Sequence, residues 1–260
     1  MVIKIWLLTL LIFQINQMNP FIKSHKQKSI FVTAGYPKIN SLEGQIRLLE
    51  KYNIDFIEIG IPFSDPLADG PTIQKTSEIA INNGMNLPLL FNQLNSIKTK
   101  IPLVLMGYLN PVLNFGIEKF VIACKECGIS SVILPDMSLE IYERFYQSIF
   151  EQYELPVSFL ITPNTEISRV KKIAKECRKS FMYLVSSNST TGTGSKLTLN
   201  EDSLKSIYGL IEGTPLMIGF GIKTKADIEN VHQFADGAII GSAYLQALEK
   251  GREVEFLERL

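Results

Sequence analysis

Three acidic residues, in or just after one apolar run, are the first candidates for the chemistry that this sequence could perform. Glu58 lies inside the apolar run Phe56–Ile61, and Asp65 and Asp69 follow in a loop rich in proline and glycine. Burying a carboxylate is costly unless the group is paired, solvated or protonated. Glu58 is therefore either part of a structural salt bridge or a carboxyl group with a raised pKa that exchanges protons near neutral pH. Asp69 alone is uninformative, because acidic residues in loops are usually solvated turn-formers.

Glycine-containing segments follow two later apolar runs and predict an anion site. Gly219-Phe220-Gly221 ends the seventh run, and Gly241-Ser242 opens a helical pattern after the eighth. Glycine lets backbone N–H groups approach a ligand closely, and a helix N-terminus favours negative charge. In α/β barrels the loops after strands seven and eight are the usual phosphate site. We therefore expect a phosphorylated small molecule as the substrate.

A small-residue segment follows the sixth apolar run. It reads SSNSTTGTGSK and spans residues 186–196. This composition is typical of a flexible surface turn, and equally of a loop that closes over a substrate and excludes water.

Eight apolar runs, each followed by a helical pattern, must position these residues. The runs are Ile30–Ala34, Phe56–Ile61, Pro102–Gly107, Ser131–Pro135, Pro156–Ile161, Phe181–Ser186, Thr214–Gly219 and Gly237–Ile240. Continuous apolar runs are typical of parallel strands that are buried on both faces. Most begin roughly one βα unit after the last. The pattern predicts an α/β fold, a (β/α)8 TIM barrel in a single domain over residues 1–260, in preference to an open doubly wound sheet.

Composition excludes some classes of partner. The chain has 260 residues, 46% of them hydrophobic, and a formal net charge of zero. This balance argues against a nucleic-acid partner, which usually needs a basic face. Cys124 and Cys127 have CxxC spacing, but no second pair or nearby histidine completes a metal site, so we expect reduced thiols rather than metal or redox chemistry. An odd cysteine count fits a reducing compartment, and the Ile-, Lys- and Asn-rich composition hints at an AT-rich genome, so we expect the cytoplasm or a plastid stroma.

We expect residues 1–28 to form an atypical N-terminal extension or helix. The apolar stretch Ile5–Phe13 is too short to span a bilayer, and no small-residue cleavage site follows it. We expect a segment that plugs the barrel, or translation that starts at Met18. A signal peptide is the remaining alternative.

Several motifs together resemble one family. FVTAGYP, EIGIPFSDPLADGPTIQ, LMGYLNP, Thr190-Thr191-Gly192, GFGI and IIGSA occur in this order between Ile30 and Gly251. They are similar to those of tryptophan synthase α subunits. The resemblance implies a carbon–carbon lyase that splits indole-3-glycerol phosphate into indole and glyceraldehyde 3-phosphate for tryptophan biosynthesis.

The resemblance also implies roles for individual residues. Glu58 matches the family's acid/base, and Asp69 matches the carboxylate that binds the indole N–H. Apolar positions around the indole ring match Phe31, Met106 and Phe220, and Tyr183 matches a tyrosine beside the acid/base. The phosphate contacts match Gly192, Gly221, Gly241 and Ser242, and Thr191 matches a threonine of the closing loop.

The resemblance implies a partner as well. Asp136 and the loop after the second run match surfaces that face a β subunit in an α2β2 heterotetramer, which receives the indole. The reaction needs neither a metal nor an organic cofactor in this chain, and pyridoxal phosphate is expected only in the β subunit. No membrane partner is expected.

The closing loop departs from the family pattern. Ser187, Ser189 and Thr190 stand where members usually carry arginine, glycine and valine. This difference leaves open a weakly active or non-catalytic subunit that mainly activates the β subunit. Another phosphate-binding barrel enzyme, such as an isomerase or indole-glycerol-phosphate synthase, is a further alternative, although the synthase would need lysines in its strands.

Overall fold

Eight short parallel strands, each followed by at least one helix, form the framework of the chain. This computed structural model describes residues 19–185, 201–211 and 213–260. The strands are β1 Gln27–Thr33, β2 Phe56–Gly60, β3 Leu103–Met106, β4 Ser131–Ile133, β5 Leu160–Ile161, β6 Met182–Leu184, β7 Leu216–Ile218 and β8 Gly237–Ile240. Each strand overlaps one of the eight predicted apolar runs, so the predicted strands are confirmed.

Helices fill the segments between the strands and follow the last strand, β8. They are α1 Leu42–Lys51, α2 Pro71–Asn82, α3 Leu87–Ser96, α4 Leu109–Phe115, α5 Ile117–Glu126, α6 Leu139–Ile141, α7 Gln147–Gln152, α8 Ile167–Glu176, α9 Glu201–Leu210, α10 Lys225–Val231, α11 Ser242–Glu249 and α12 Glu253–Glu258. A π-helical segment, Tyr142–Tyr146, joins α6 to α7, and a 3₁₀ turn, Cys177–Lys179, extends α8. Glycines at positive φ follow α2, α5 and α9, as expected for helix ends: Gly84 (93°), Gly128 (70°) and Gly213 (76°).

The strands close into a barrel. Their order in the sheet is β4-β3-β2-β1-β8-β7-β6-β5, with parallel pairing throughout. A parallel bridge between Val132 and Val157 joins the two ends of this sheet. There the Ser158 N–H donates to the Val132 carbonyl at 2.9 Å, and the Val132 N–H donates to the Pro156 carbonyl at 3.0 Å. The (β/α)8 barrel is confirmed, and the open doubly wound alternative is wrong.

Residues at alternate positions along the strands belong to two separate apolar layers. The layer between strands and helices contains β2 residues such as Ile57 and Ile59. The layer inside the barrel consists of Phe21, Phe56, Val104, Ile133, Phe181, Tyr183, Met217 and Ile239. Because strand residues alternate between the two faces, Glu58 points to the same side as Phe56, into the barrel interior.

Phe21 fills the barrel at the N-terminal ends of the strands. Its ring packs edge-on against Phe56 and Phe181, with centroid distances of 5.3 and 4.8 Å. The Asn19 side-chain amide donates to the carbonyls of Arg178 (2.8 Å) and Ser180 (2.9 Å), just before β6. This end of the barrel is therefore closed by packed side chains, and the opposite end remains for a ligand.

The apolar stretch Ile5–Phe13 lies outside the described residues. Among the helices that are described, none has both the length and the apolar character needed to cross a membrane. All three cysteines are free thiols; Cys124 and Cys177 are buried and Cys127 is half-buried.

We predict that Phe21→Ala destabilises the barrel strongly. The substitution leaves a cavity between Phe56 and Phe181, and comparable changes cost about 3–5 kcal/mol of unfolding free energy. Urea unfolding measures this loss. Phe145→Ala is the matched control, because that ring is 56% exposed and its removal changes stability by at most about 0.5 kcal/mol. Equal effects of the two substitutions would contradict the role assigned to Phe21.

Candidate active site

Glu58 lies in the middle of β2 with its side chain fully buried. Among the described residues, neither of its carboxyl oxygens has a hydrogen-bond partner, and no basic side chain pairs with it. Burial raises the pKa of Glu58 to about 8. The salt-bridge interpretation of Glu58 therefore finds no support in this part of the chain. The group is mostly protonated at neutral pH and can both give and take a proton.

Asp69 lies in the loop between β2 and α2 and is held by a tyrosine that follows the next strand, β3. The Tyr108 hydroxyl donates to Asp69 Oδ2 at 3.1 Å and accepts from the Ala68 N–H at 2.9 Å. Burial raises the pKa of Asp69 to about 6, and the hydrogen bond from Tyr108 opposes that rise. Asp69 is thus mostly ionised at neutral pH, whereas Glu58 is mostly protonated.

Tyr183 lies close to both acidic groups. Burial raises the pKa of Tyr183 well above its usual range, and negative charge on Glu58 and Asp69 raises it further. Its hydroxyl donates to the Gly219 carbonyl at 3.2 Å. A Cβ at Gly219 would collide with that hydroxyl, so glycine is needed at the end of β7 to make room for the tyrosine.

A cleft at the C-terminal ends of the first strands brings several predicted residues together. Phe31, Met106 and Asp69 line it. The remaining lining residues are Gly60, Ile61, Ile73, Ser77, Gly107, Tyr108 and Pro135. The Phe31 ring occupies the space that a Cβ at Gly60 would need. The structure thus places apolar walls beside the Asp69 carboxylate.

Three of the four predicted anion-binding residues, Gly221, Gly241 and Ser242, lie at the exits of β7 and β8, which are neighbours in the sheet. Gly221 has a φ of 70° and follows Phe220, which is half-buried and is not among the residues lining the cleft. Gly241 directly precedes α11, which begins at Ser242. A Cβ at Gly241 would lie 3.7 Å from Phe31 Cβ, so this exit borders the cleft.

The predicted closing loop is not part of the described chain. Thr191 and Gly192, and the unusual Ser187, Ser189 and Thr190, lie outside the described residues.

Tyr108 is a candidate site residue that the sequence interpretation missed. Its motif, LMGYLNP, was assigned no role beyond the resemblance. The available signal was its position two residues after the end of β3, where barrel enzymes place functional side chains. Asp136 supports the same region, because both of its carboxylate oxygens accept from the Leu109 N–H, at 2.9 and 3.0 Å.

Comparisons with known proteins agree with this geometry. The sequence profile of the family described as "Tryptophan synthase alpha chain" matches residues 22–258. The tryptophan synthase alpha chain of Christiangramia forsetii is 45% identical over 241 residues, which cover 90% of this chain and 93% of the relative. The corresponding protein of Karelsulcia muelleri is 42% identical over 233 residues, covering 89% and 91%.

Solved structures show the same fold. Tryptophan synthase subunit alpha from Campylobacter jejuni superposes with a TM-score of 0.79 at 30% identity, covering 91% of this chain and 95% of that one. A Mycobacterium tuberculosis tryptophan synthase structure gives a TM-score of 0.80 at 26% identity, with 91% of each chain covered. Because the profile and the close relatives both span nearly the whole barrel, this chain belongs to the tryptophan synthase alpha chain family.

Proposed function

We propose that this chain is a carbon–carbon lyase that cleaves indole-3-glycerol phosphate into indole and glyceraldehyde 3-phosphate. The main support is the pair of acidic groups in different protonation states. Glu58 has a pKa raised to about 8, Asp69 has a pKa of about 6, and both lie near Tyr183. Asp69 lines the apolar cleft, and Glu58 lies buried two residues before Gly60 of that cleft. A proton donor and an anion so placed suit a reaction that protonates an aromatic ring carbon.

The chemistry assigns each acid a separate step. Protonated Glu58 delivers a proton to indole C3, and the ring nitrogen becomes cationic. The Asp69 carboxylate accepts a hydrogen bond from the indole N–H and stabilises that charge. The Glu58 carboxylate then removes the proton from the glycerol hydroxyl next to the scissile bond, the carbonyl forms, and the bonding electrons return to the ring. Glu58 thereby recovers its proton.

The other predicted residues supply the binding surfaces of this proposal. Phe31, Met106 and Phe220 surround the indole ring, and Tyr183 lies beside Glu58. Phosphate is held by Gly192, Gly221, Gly241 and Ser242, and Thr191 closes the site. The N-terminus of α11 suits an anion, because the first N–H groups of a helix lack partners within it and its dipole is positive at that end.

The partner in this proposal is a β subunit, within an α2β2 heterotetramer. Leu67, in the loop that carries Asp69, is 87% exposed and would lie in the interface with the β subunit that the family resemblance implies. Indole is apolar and would be lost to solution unless it passed directly to a partner. Pyridoxal phosphate belongs to that partner, since the cleavage proposed for this chain needs only acid–base groups. In this proposal the reaction takes place in a reducing compartment, either the cytoplasm or a plastid stroma.

We predict that Glu58→Gln abolishes most of the indole release from indole-3-glycerol phosphate. Glutamine keeps the shape of the side chain but cannot transfer a proton, so the rate should fall roughly 100- to 10,000-fold. The assay is run with and without a β subunit. Glu78→Gln, an exposed change on α2, should leave the rate unchanged.

A wild-type rate no higher than that of Glu58→Gln would overturn the catalytic assignment. If the chain nevertheless still activated the β subunit, the alternative of a non-catalytic activating subunit would replace it.

We predict a bell-shaped dependence of kcat/KM on pH. Activity should rise as Asp69 ionises near its pKa of about 6 and fall as Glu58 loses its proton near its pKa of about 8. In Tyr108→Phe, Asp69 loses the hydrogen bond that stabilises its charge, so its pKa rises. The acidic limb should then move up by about one pH unit while the basic limb stays in place.

Tyr146→Phe is the control for that experiment, because Tyr146 lies on the outer π-helical segment. If Tyr108→Phe shifted the acidic limb to lower pH, or not at all, the role assigned to Tyr108 would be wrong.

A further inference from the structure

Two helices that flank the candidate site are joined by matched polar contacts. The Gln246 side-chain amide of α11 donates to Thr72 Oγ1 of α2 at 3.0 Å. One turn further along both helices, the Lys75 ammonium pairs with the Glu249 carboxylate. We name these four residues the helix bracket. The two bracket residues of each helix are three positions apart, so they lie on one face of that helix.

At one end, the bracket leads to the loop that carries Asp69. Helix α2 begins at Pro71, two residues after Asp69. In its first turn, the Gln74 side-chain amide donates to the Asp69 carbonyl at 2.9 Å, and the Gln74 N–H donates to the Gly70 carbonyl at 3.0 Å. A rotation or shift of α2 would therefore move the backbone that orients the Asp69 carboxylate.

At the other end, the bracket leads to the proposed phosphate subsite. Helix α11 begins at Ser242 directly after Gly241. The Cδ1 atom of Ile73, on α2, lies 4.0 Å from the Cβ position of Gly241, so the first turns of the two helices lie close together. Thr76 further fixes α2 to the barrel through a hydrogen bond with Thr33, with 2.7 Å between the two hydroxyl oxygens.

We infer that Thr72, Lys75, Gln246 and Glu249 are positioning residues that fix the Asp69 loop relative to the phosphate subsite. When the phosphate group of the substrate is held at the start of α11, the bracket keeps α2, and with it Asp69, at a fixed distance from that phosphate. This inference rests on the proposed function. A single exposed ion pair contributes little to global stability, so the bracket should act on alignment rather than on folding.

The test uses the double variant Thr72→Val/Lys75→Met with two substrates, indole-3-glycerol phosphate and its phosphate-free analogue indole-3-glycerol. With the phosphorylated substrate, kcat should fall about 5-fold while KM changes little. Cleavage of the phosphate-free compound should not change, because nothing anchors that compound at α11. A merely structural defect would lower both rates together.

Two further variants make the result specific. Lys172→Met removes an ion pair of similar exposure, Lys172–Glu143 at 2.7 Å, which joins α8 to the π-helical segment. This control should leave both rates unchanged. Lys75→Glu should lower kcat, and the charge swap Lys75→Glu/Glu249→Lys should restore it to within about 2-fold. If the phosphate-free compound reacts too slowly to measure, recovery of kcat in the charge swap becomes the deciding test of the inference.

Equal losses with both substrates, no loss with either, or a charge swap without recovery would overturn the inference while leaving the proposed function intact. A wild-type chain that releases no indole would instead overturn the proposed function, and the inference with it.

Discussion

A carboxyl group enclosed by apolar side chains is the constraint on which the rest of this molecule depends. Glu58 shares the barrel interior with Phe56 and Tyr183, without a hydrogen-bond partner among the described residues. Its pKa in the folded chain, about 8, lies above its ordinary value of 4.5. The folded state therefore binds a proton that the unfolded chain releases, and folding stability declines as pH rises between these values. The surrounding packing must offset this cost, and in return the group is poised for proton transfer near neutral pH.

The stabilising side-chain packing and the candidate site lie at opposite ends of the barrel. At the N-terminal ends of the strands, Phe21 and its neighbouring rings fill the interior. At the C-terminal ends, glycines leave space where side chains of the site need it, as Gly60 does for Phe31 and Gly219 does for Tyr183. Loops at this end can vary in sequence without disturbing the stabilising core, which lies elsewhere.

Different parts of this arrangement were predictable from the sequence to different degrees. The eight strands were predictable, because parallel strands that are buried on both faces give continuous apolar runs. Glu58 was conspicuous as a charge within such a run, whereas Asp69 gained a role only through family resemblance. Tyr108 was missed, because its partner lies on a different loop and only the pairing of β2 with β3 brings the two together. Phe220 follows β7, is half-buried and does not line the cleft that contains Phe31, so its place beside the indole ring stays a prediction.

The residues that close the N-terminal end of the barrel are remote from each other along the chain. Asn19 binds the carbonyl of Ser180, 161 residues away, and β1 pairs with β8, beginning at Gln27 and Gly237. During synthesis, the first strand therefore leaves the ribosome long before either of these partners exists. The apolar residues of the early strands must wait, partly exposed, until β8 has emerged and the ring can close. For this chain, the barrel can close only after β8 has emerged, and until then its unpaired early strands are exposed to aggregation and proteolysis.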